Sequence, residues 1–314
     1  MSLLGGLRSI ATNVLPLGAV GAKQAKLITT KTIIMTQNNN QIQDNAQSLQ
    51  MAVSHSTVFH GDCLEIMKSI PDRSVDMILC DLPYGTTACK WDTIIPFDKL
   101  WEQYERIIKP NGAILLTASQ PFTSALIMSN PILFKYCWIW QKSKVGNIFN
   151  CKNAPQKNYE DIAVFSKASI ANGSKVLMKY NSQGLIKVEK TRSNISKGRK
   201  DTTIGIRPSR LDNEYIQEFT NYPKQILQFN NEQGLHPTQK PVALFEYLIK
   251  TYTNEGDIVL DNCAGSGTTG IACINTNRNY ILIEKEKQYF DIINERIDKY
   301  KQQRAGEFSF ENAS

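Results

Sequence analysis

Between Asp257 and Glu284, two short apolar runs, Ile258-Val259-Leu260 and Tyr280-Ile281-Leu282-Ile283, are each closed by an acid. A glycine-rich turn and a helical stretch, about Thr268 to Asn275, lie between them. A buried strand that turns through glycine into a helix and returns as a second buried strand is the unit of a parallel sheet with helices on its faces. An earlier stretch follows the same logic. Val75-Asp76-Met77-Ile78-Leu79-Cys80 runs into Asp81, residues 97–109 set Phe97, Leu100, Trp101, Tyr104, Ile107 and Ile108 at helical spacing, and Ala113-Ile114-Leu115-Leu116-Thr117 is another buried strand. Pro110-Asn111-Gly112 is expected to stop that helix. Pro121 suits the start of a helix reaching Met128, residues 134–140 and 159–165 are strand-like, Pro241 opens an amphipathic helix to about Tyr252, and a long polar helix ends the pattern. The fold class expected is α/β, a mostly parallel, doubly wound sheet.

Residues 1–50 differ from the rest: their first acid is Asp44, and Gln37-Asn38-Asn39-Asn40-Gln41 cannot bury a core. We read them as a disordered extension, with an import signal as the minor alternative. Residues 305–314 are read as a flexible tail. No apolar run approaches the ~20 residues of a membrane helix. Seven cysteines are scattered without a CxxC pair, which argues against a disulfide framework or zinc knuckle and for a reducing cytoplasm. His55, His60 and His236 lack metal-ligand spacing, so no metal site is expected. The chain carries a net charge of +7, yet residues 142–200 alone hold 13 Lys and Arg against three acids. That local excess suggests a polyanionic partner.

Two clusters carry chemistry. In Asp261-Asn262-Cys263-Ala264-Gly265-Ser266-Gly267-Thr268-Thr269-Gly270, Gly265 and Gly267 let the backbone approach a ligand where a strand becomes a helix, and Glu284 ends the next strand, where it can accept hydrogen bonds from ribose hydroxyls. The spacing fits neither a dinucleotide GxGxxG site nor a P-loop. The second cluster, Asp81-Leu82-Pro83-Tyr84-Gly85, ends a buried strand, where ligands of open α/β sheets bind. Its carboxylate can accept from an amine, Pro83 stiffens the backbone, and Tyr84 offers a flat face to a base.

These segments resemble DNA amino-methyltransferases of the N6-adenine/N4-cytosine type. Asp81-Leu82-Pro83-Tyr84 is similar to their D-P-P-Y motif, and Asp261 to Thr269 to their methyl-donor motif. His236-Pro237-Thr238-Gln239-Lys240-Pro241 and His60-Gly61-Asp62-Cys63 are similar to two further family segments. Catalytic motif first, basic insert next and donor motif last is the order of the family's β group. The resemblance covers about residues 57–300. Leu82 departs from the motif's first Pro, and Asn262-Cys263 replaces Pro-Phe, which bears on packing around the donor.

The resemblance implies a Rossmann-like methyltransferase fold and the methyl donor S-adenosylmethionine. The donor-site residues implied are Asp62, Cys63, Lys240, Asp261, Cys263, Ala264, Gly265, Gly267, Thr268, Thr269 and Glu284, with Lys240 near the donor's carboxylate and Asp62 at its adenine amine. The catalytic residues implied are Asp81, Leu82, Pro83 and Tyr84. It divides the chain into a catalytic half at 51–167, a target-recognition insert at 168–235 and a donor-binding half at 236–304. Within the insert, Lys190, Arg192, Lys197, Arg199, Lys200, Arg207 and Arg210 could meet phosphates or guanine edges. The expected substrate is a flipped-out base of double-stranded DNA. Asp81 as first motif residue favours adenine N6, with cytosine N4 or a non-catalytic DNA-binding protein as alternatives. C5-cytosine chemistry, which in its family uses a Pro-Cys thiolate, is excluded, because no Pro-Cys dipeptide occurs. A cytoplasmic, nucleoid-associated enzyme without a membrane partner follows, with a homodimer and a separate restriction endonuclease left open.

Overall fold

The computed structural model describes residues 56–86, 89, 92–146, 148–193, 214–232 and 239–311. The expectations for residues 1–50, for His55, for His236-Pro237-Thr238 and for the basic residues between 197 and 210 lie outside these. Of the described residues, the first forms β1 (Thr57–His60), α1 (Cys63–Met67), β2 (Val75–Asp81), α2 (Phe97–Ile107), β3 (Ile108–Ala118) and α3 (Phe122–Ser129). Next come β4 (Phe134–Gly146), a 3-10 turn (Ile148–Asn150), β5 (Lys157–Phe165), β6 (Ile186–Ser193), β7 (Glu214–Thr220) and β8 (Ile226–Phe229). The remainder is α4 (Val242–Tyr252), β9 (Ile258–Asp261), α5 (Thr268–Asn275), β10 (Asn279–Glu284) and α6 (Lys287–Glu311).

An eight-stranded sheet runs in the order β1-β10-β9-β2-β3-β5-β4-β8. The strands from β1 to β3 are mutually parallel, and β5 runs antiparallel between β3 and β4. Successive residues of the buried strands enter opposite faces, as the period of two requires. Met77, Leu79, Leu115, Val164, Val259 and Leu282 join the core beneath α4, α5 and α6. Ile78, Cys80, Leu116, Phe165, Leu260 and Ile283 join the core beneath α1, α2 and α3. The mostly parallel, doubly wound sheet is therefore present.

Three elements differ from expectation. The last helix continues to Glu311, through residues 305–311 of the stretch read as a tail. The helix at 97 ends at Ile107, and Pro110-Asn111-Gly112 does not form a separate stop but belongs to the irregular start of β3. There Val75 faces Ile108 while Met77 already faces Ala113, so β3 loops outward. The backbone at Gly112 lies so close to Asp76 that an added Cβ would sit 2.6 Å from its carbonyl oxygen. Further on, β6 and β7 pair with each other in a separate two-stranded sheet, whereas β8, from the same 168–235 insert, extends the main sheet beside β4.

The order of strands places the site. The chain builds β2, β3 and the strands beyond, then returns on the other side of β2 with β9 and β10. The crevice between β2 and β9 is thus a topological switch point, where open α/β sheets bind ligands. Buried Asp76 pins the two strands, accepting the Ile258 amide at 3.1 Å and pairing with Lys109 at 2.7 Å.

Candidate active site

A cleft of about 470 Å³ opens at the carboxyl ends of β2 and β9. Asp62, Cys63, Asp81, Leu82, Pro83, Tyr84, Lys240, Asp261, Cys263, Ala264, Gly265, Thr268 and Glu284 all line it. Gly267 and Thr269, also singled out in the sequence, do not; they shape the turn behind it.

That turn is held by carboxylates. Asp261 accepts the Cys263 amide at 3.1 Å and the Thr269 hydroxyl at 2.5 Å. Burial raises its pKa to about 6 against these hydrogen bonds. Glu284 accepts the Gly265 amide at 2.8 Å through one oxygen and the Glu286 amide at 2.8 Å through the other. Its pKa is also raised by burial. Gly265 and Gly267 have φ of 53° and 80°, the left-handed region that glycine enters without strain. Gly267 caps α5, and a Cβ there would meet Ile293 at 3.2 Å. Asp62 caps α1 through the Leu64 amide at 3.0 Å and faces Lys285 at 3.3 Å.

Asn262, at the position of the motif's Pro, is buried and accepts the Tyr104 hydroxyl at 2.6 Å. Cys263, at the position of the motif's Phe, accepts the Asn262 side-chain amide at 3.6 Å and lies beside the Cys63 and Cys80 thiols. The hydrogen bond from Cys263 holds the Cys63 thiol below its ordinary range, while burial pushes Cys80 up to about 12. The departure from the motif is thus absorbed by polar contacts rather than by an aromatic ring.

The other end of the cleft is built from side chains far apart in sequence. The Tyr84 hydroxyl lies 2.9 Å from both Asp81 Oδ1 and Thr117 Oγ1, and the Thr117 hydroxyl donates to the same Asp81 oxygen. Burial and then Asp81 push the Tyr84 phenol far up, so it stays protonated as a donor. Its ring stacks on Phe122 at 5.1 Å and 28°. Asp92 accepts the Gly85 and Thr86 amides at 2.8 and 2.9 Å and so fixes the loop after Tyr84.

Lys240 reaches this end of the cleft. Its Nζ lies 2.5 Å from Asp81 Oδ2 and 3.5 Å from Glu160 Oε2. Burial alone would lower its pKa; Asp81 and Glu160 override that and raise it. Gln239, one residue earlier, instead accepts the Ser266 hydroxyl of the glycine turn at 3.0 Å.

Sequence reasoning missed Thr117, Asp92 and Glu160. Thr117 ends a strand whose neighbours are apolar, and Glu160 is an acid inside a strand within a basic stretch; those were the available signals. Several lysines of that stretch are spent inside the fold. Lys142 pairs with Glu160, Lys179 with Asp257 at 2.5 Å and with Asp76 at 3.5 Å, and Lys157 donates to Ser119. Lys190 lies in β6; the side chain of Arg192 is outside what is described. Among the described residues no cluster of three His, Cys, Asp or Glu side chains could hold a metal, and no helix is long and apolar enough to cross a membrane.

Residues 75–295 match the family model described as DNA methylase, of the N6/N4 type. The chain is 28% identical over 262 residues to the type II methyltransferase M.HpaI of Haemophilus parainfluenzae, covering 76% of this chain and 73% of that protein. It is 30% identical over 260 residues to the DNA adenine methyltransferase YhdJ of Escherichia coli K12, covering 77% and 82% respectively. Among solved structures, the cytosine-N4-specific PvuII DNA methyltransferase shares the fold, with a TM-score of 0.52 at 17% identity over 79% of this chain and 92% of that one.

Proposed function

The chain belongs to the N6/N4-type DNA methylase family, and from that premise we propose that it transfers a methyl group from S-adenosylmethionine to the exocyclic N6 of a flipped-out adenine in double-stranded DNA. The observation that carries this reading is Asp81. It is a carboxylate at the end of β2, held in place by Tyr84, Thr117 and Lys240, and it lines the same cleft as the glycine turn at the β2–β9 switch point. Asp rather than Ser at this motif position, together with the likeness to an adenine enzyme of 30% identity, supports adenine over cytosine.

The donor end fits a nucleoside. Glu284 accepts the Gly265 amide at one oxygen and the Glu286 amide at the other, and a carboxylate has about four acceptor sites, which leaves room for a ribose hydroxyl. Asp62 stands at the same rim for an amine. When bound, S-adenosylmethionine supplies a methyl group on a positively charged sulfur that leaves as a neutral thioether.

The residues of this chain do the rest. A target base stacked in a duplex is out of reach, and flipping it costs a few kcal/mol. Tyr84, backed by Phe122 and fixed by its hydroxyl, is a rigid wall on which the base stacks, recovering about 1–3 kcal/mol. Asp81 and the Leu82 carbonyl accept the two amine hydrogens. The nitrogen is thereby drawn toward tetrahedral geometry, with its lone pair aimed at the methyl group, and the surplus proton leaves the methylated nitrogen for solvent after transfer. Aligning the two partners supplies most of the acceleration.

Nucleoside mass spectrometry on plasmid DNA from a methylation-deficient host expressing the chain tests the reading. N6-methyladenine is expected. N4-methylcytosine would overturn the choice of base and keep the mechanism. Neither product, from folded protein that binds S-adenosylmethionine, would overturn the proposal.

A further inference from the structure

The amine-acceptor role of Asp81 leaves two charged neighbours without a task. Lys240 is only 5% exposed, and burying an ammonium is costly unless it is paired. It is paired with two carboxylates, Asp81 at 2.5 Å and Glu160 at 3.5 Å. Glu160 Oε2 is itself buried, carries no conventional hydrogen bond and faces Lys240, while its other oxygen is held by Lys142. Of the Asp81 oxygens, Oδ1 is taken up by the Tyr84 and Thr117 hydroxyls, and Oδ2 carries Lys240. The oxygen that faces Lys240 is thus the one left to meet a base.

A donor and an acceptor 2.5 Å apart, fixed side by side on one wall of a base pocket, match a particular chemical pattern. Adenine and cytosine each present an exocyclic amine beside an unprotonated ring nitrogen, an amidine edge that offers one donor and one acceptor. Enzymes that flip bases read them on this Watson–Crick edge. We propose that Asp81 and Lys240 read the amidine edge as a unit: Asp81 Oδ2 accepts an amine hydrogen while the Lys240 ammonium donates to the adjacent ring nitrogen. Glu160 is a positioning residue that holds Lys240 in place. Guanine and thymine put a carbonyl oxygen where the amine stands and an N–H where the ring nitrogen stands, so both contacts become repulsive. The pair therefore rejects keto bases and accepts both amino bases. This rests on Asp81 being the amine acceptor, and it moves Lys240 from the donor's carboxylate to the target base. Gln239, which turns to Ser266 instead, is the residue of that segment on the donor side.

The test removes one atom from the substrate. The full chain is assayed on a duplex containing its methylation site, with the target adenine replaced by 1-deazaadenine, which keeps the amine and loses the ring acceptor. For a cytosine target the analogue is 3-deazacytosine. Wild-type kcat/KM is expected to fall about 10- to 100-fold on the analogue, the size of a lost charged hydrogen bond. K240M is expected to lose a similar factor on the ordinary duplex, then to lose no more than about twofold further on the analogue. Its affinity for S-adenosylmethionine should stay at the wild-type value. E160Q should shrink the analogue penalty without abolishing methylation, which a merely structural role would not do. Absence of any penalty in the wild type overturns the inference without recourse to a variant. So does a K240M enzyme that keeps the full penalty or loses the methyl donor. Failure of the wild type to methylate the ordinary duplex would instead strike the amine-acceptor reading beneath it.

Discussion

The two ends of the cleft are made in different ways. At the donor end the carboxylates of Asp261 and Glu284 hold backbone amides and one hydroxyl drawn from the turn itself and the strand beside it. At the base end, side chain meets side chain across the fold: Tyr84 with Thr117, and Asp81 with Lys240, which lie 159 residues apart in sequence. The bonds that Asp261 and Glu284 make to the turn are set as soon as the strand–turn–helix–strand unit forms. A site closed by distant side chains exists only once the whole sheet has assembled. The division implies that the donor end governs affinity for S-adenosylmethionine and the base end governs methyl transfer, with little trespass between them.

The largest effect expected is at the base end. Asp81→Ala should lower methyl transfer by at least about a hundredfold, the scale of losing a group aimed at developing charge, while DNA binding by mobility shift remains. Surviving activity would break the division.

Next comes Asp261, whose raised pKa makes a pH-dependent prediction. Between about pH 4 and 6 an unfolded Asp261 releases its proton first, so the folded state, which binds it more tightly, loses stability as pH rises. The carboxylate's full burial places this on the order of 3 kcal/mol. Asp261→Asn cannot titrate, so wild type should lose Tm relative to the variant from pH 4 to pH 7. A gap independent of pH would show that the carboxylate is not desolvated.

Glu284→Gln should weaken S-adenosylmethionine binding about 10- to 100-fold, as one carboxylate oxygen that accepts from backbone and ligand is replaced by an amide donor. Turnover at saturating donor should change little, and a collapse of kcat with unchanged affinity would contradict the assignment. The smallest effect is structural. Gly267→Ala forces a side chain into the left-handed region and against Ile293, a loss of about 1–2 kcal/mol read by thermal or urea unfolding.

The same contrast explains what could be read from the sequence. Strands β2, β9 and β10 are apolar runs with acids at their ends, and the glycine turn carries its own geometry, so Asp81, Asp261 and Glu284 could be placed without a structure. The irregular start of β3 could not, because Pro110 and Gly112 are as good at breaking a helix as at opening a bulge, and only the approach of the Asp76 backbone decides. Thr117 and Glu160 acquire meaning from strand order: β3 lies beside β2, and β5 beside β3, which no local pattern states. Lys240 was legible as a site residue, but its direction depends on which of two carboxylates or a ligand it meets, and that is a property of the packed chain. The basic stretch taught the reverse lesson, since Lys142, Lys157 and Lys179 are bound within the fold.

The division between donor and base ends is tested most directly by calorimetric titration of S-adenosylmethionine into the Asp81→Ala protein, alongside its methyl-transfer rate. The structure predicts a dissociation constant within about threefold of wild type, since the hydrogen bonds of Asp81 run to Tyr84, Thr117 and Lys240 rather than to the glycine turn, together with loss of methyl transfer. A donor affinity that falls along with the rate would show that the two ends of the cleft are one site.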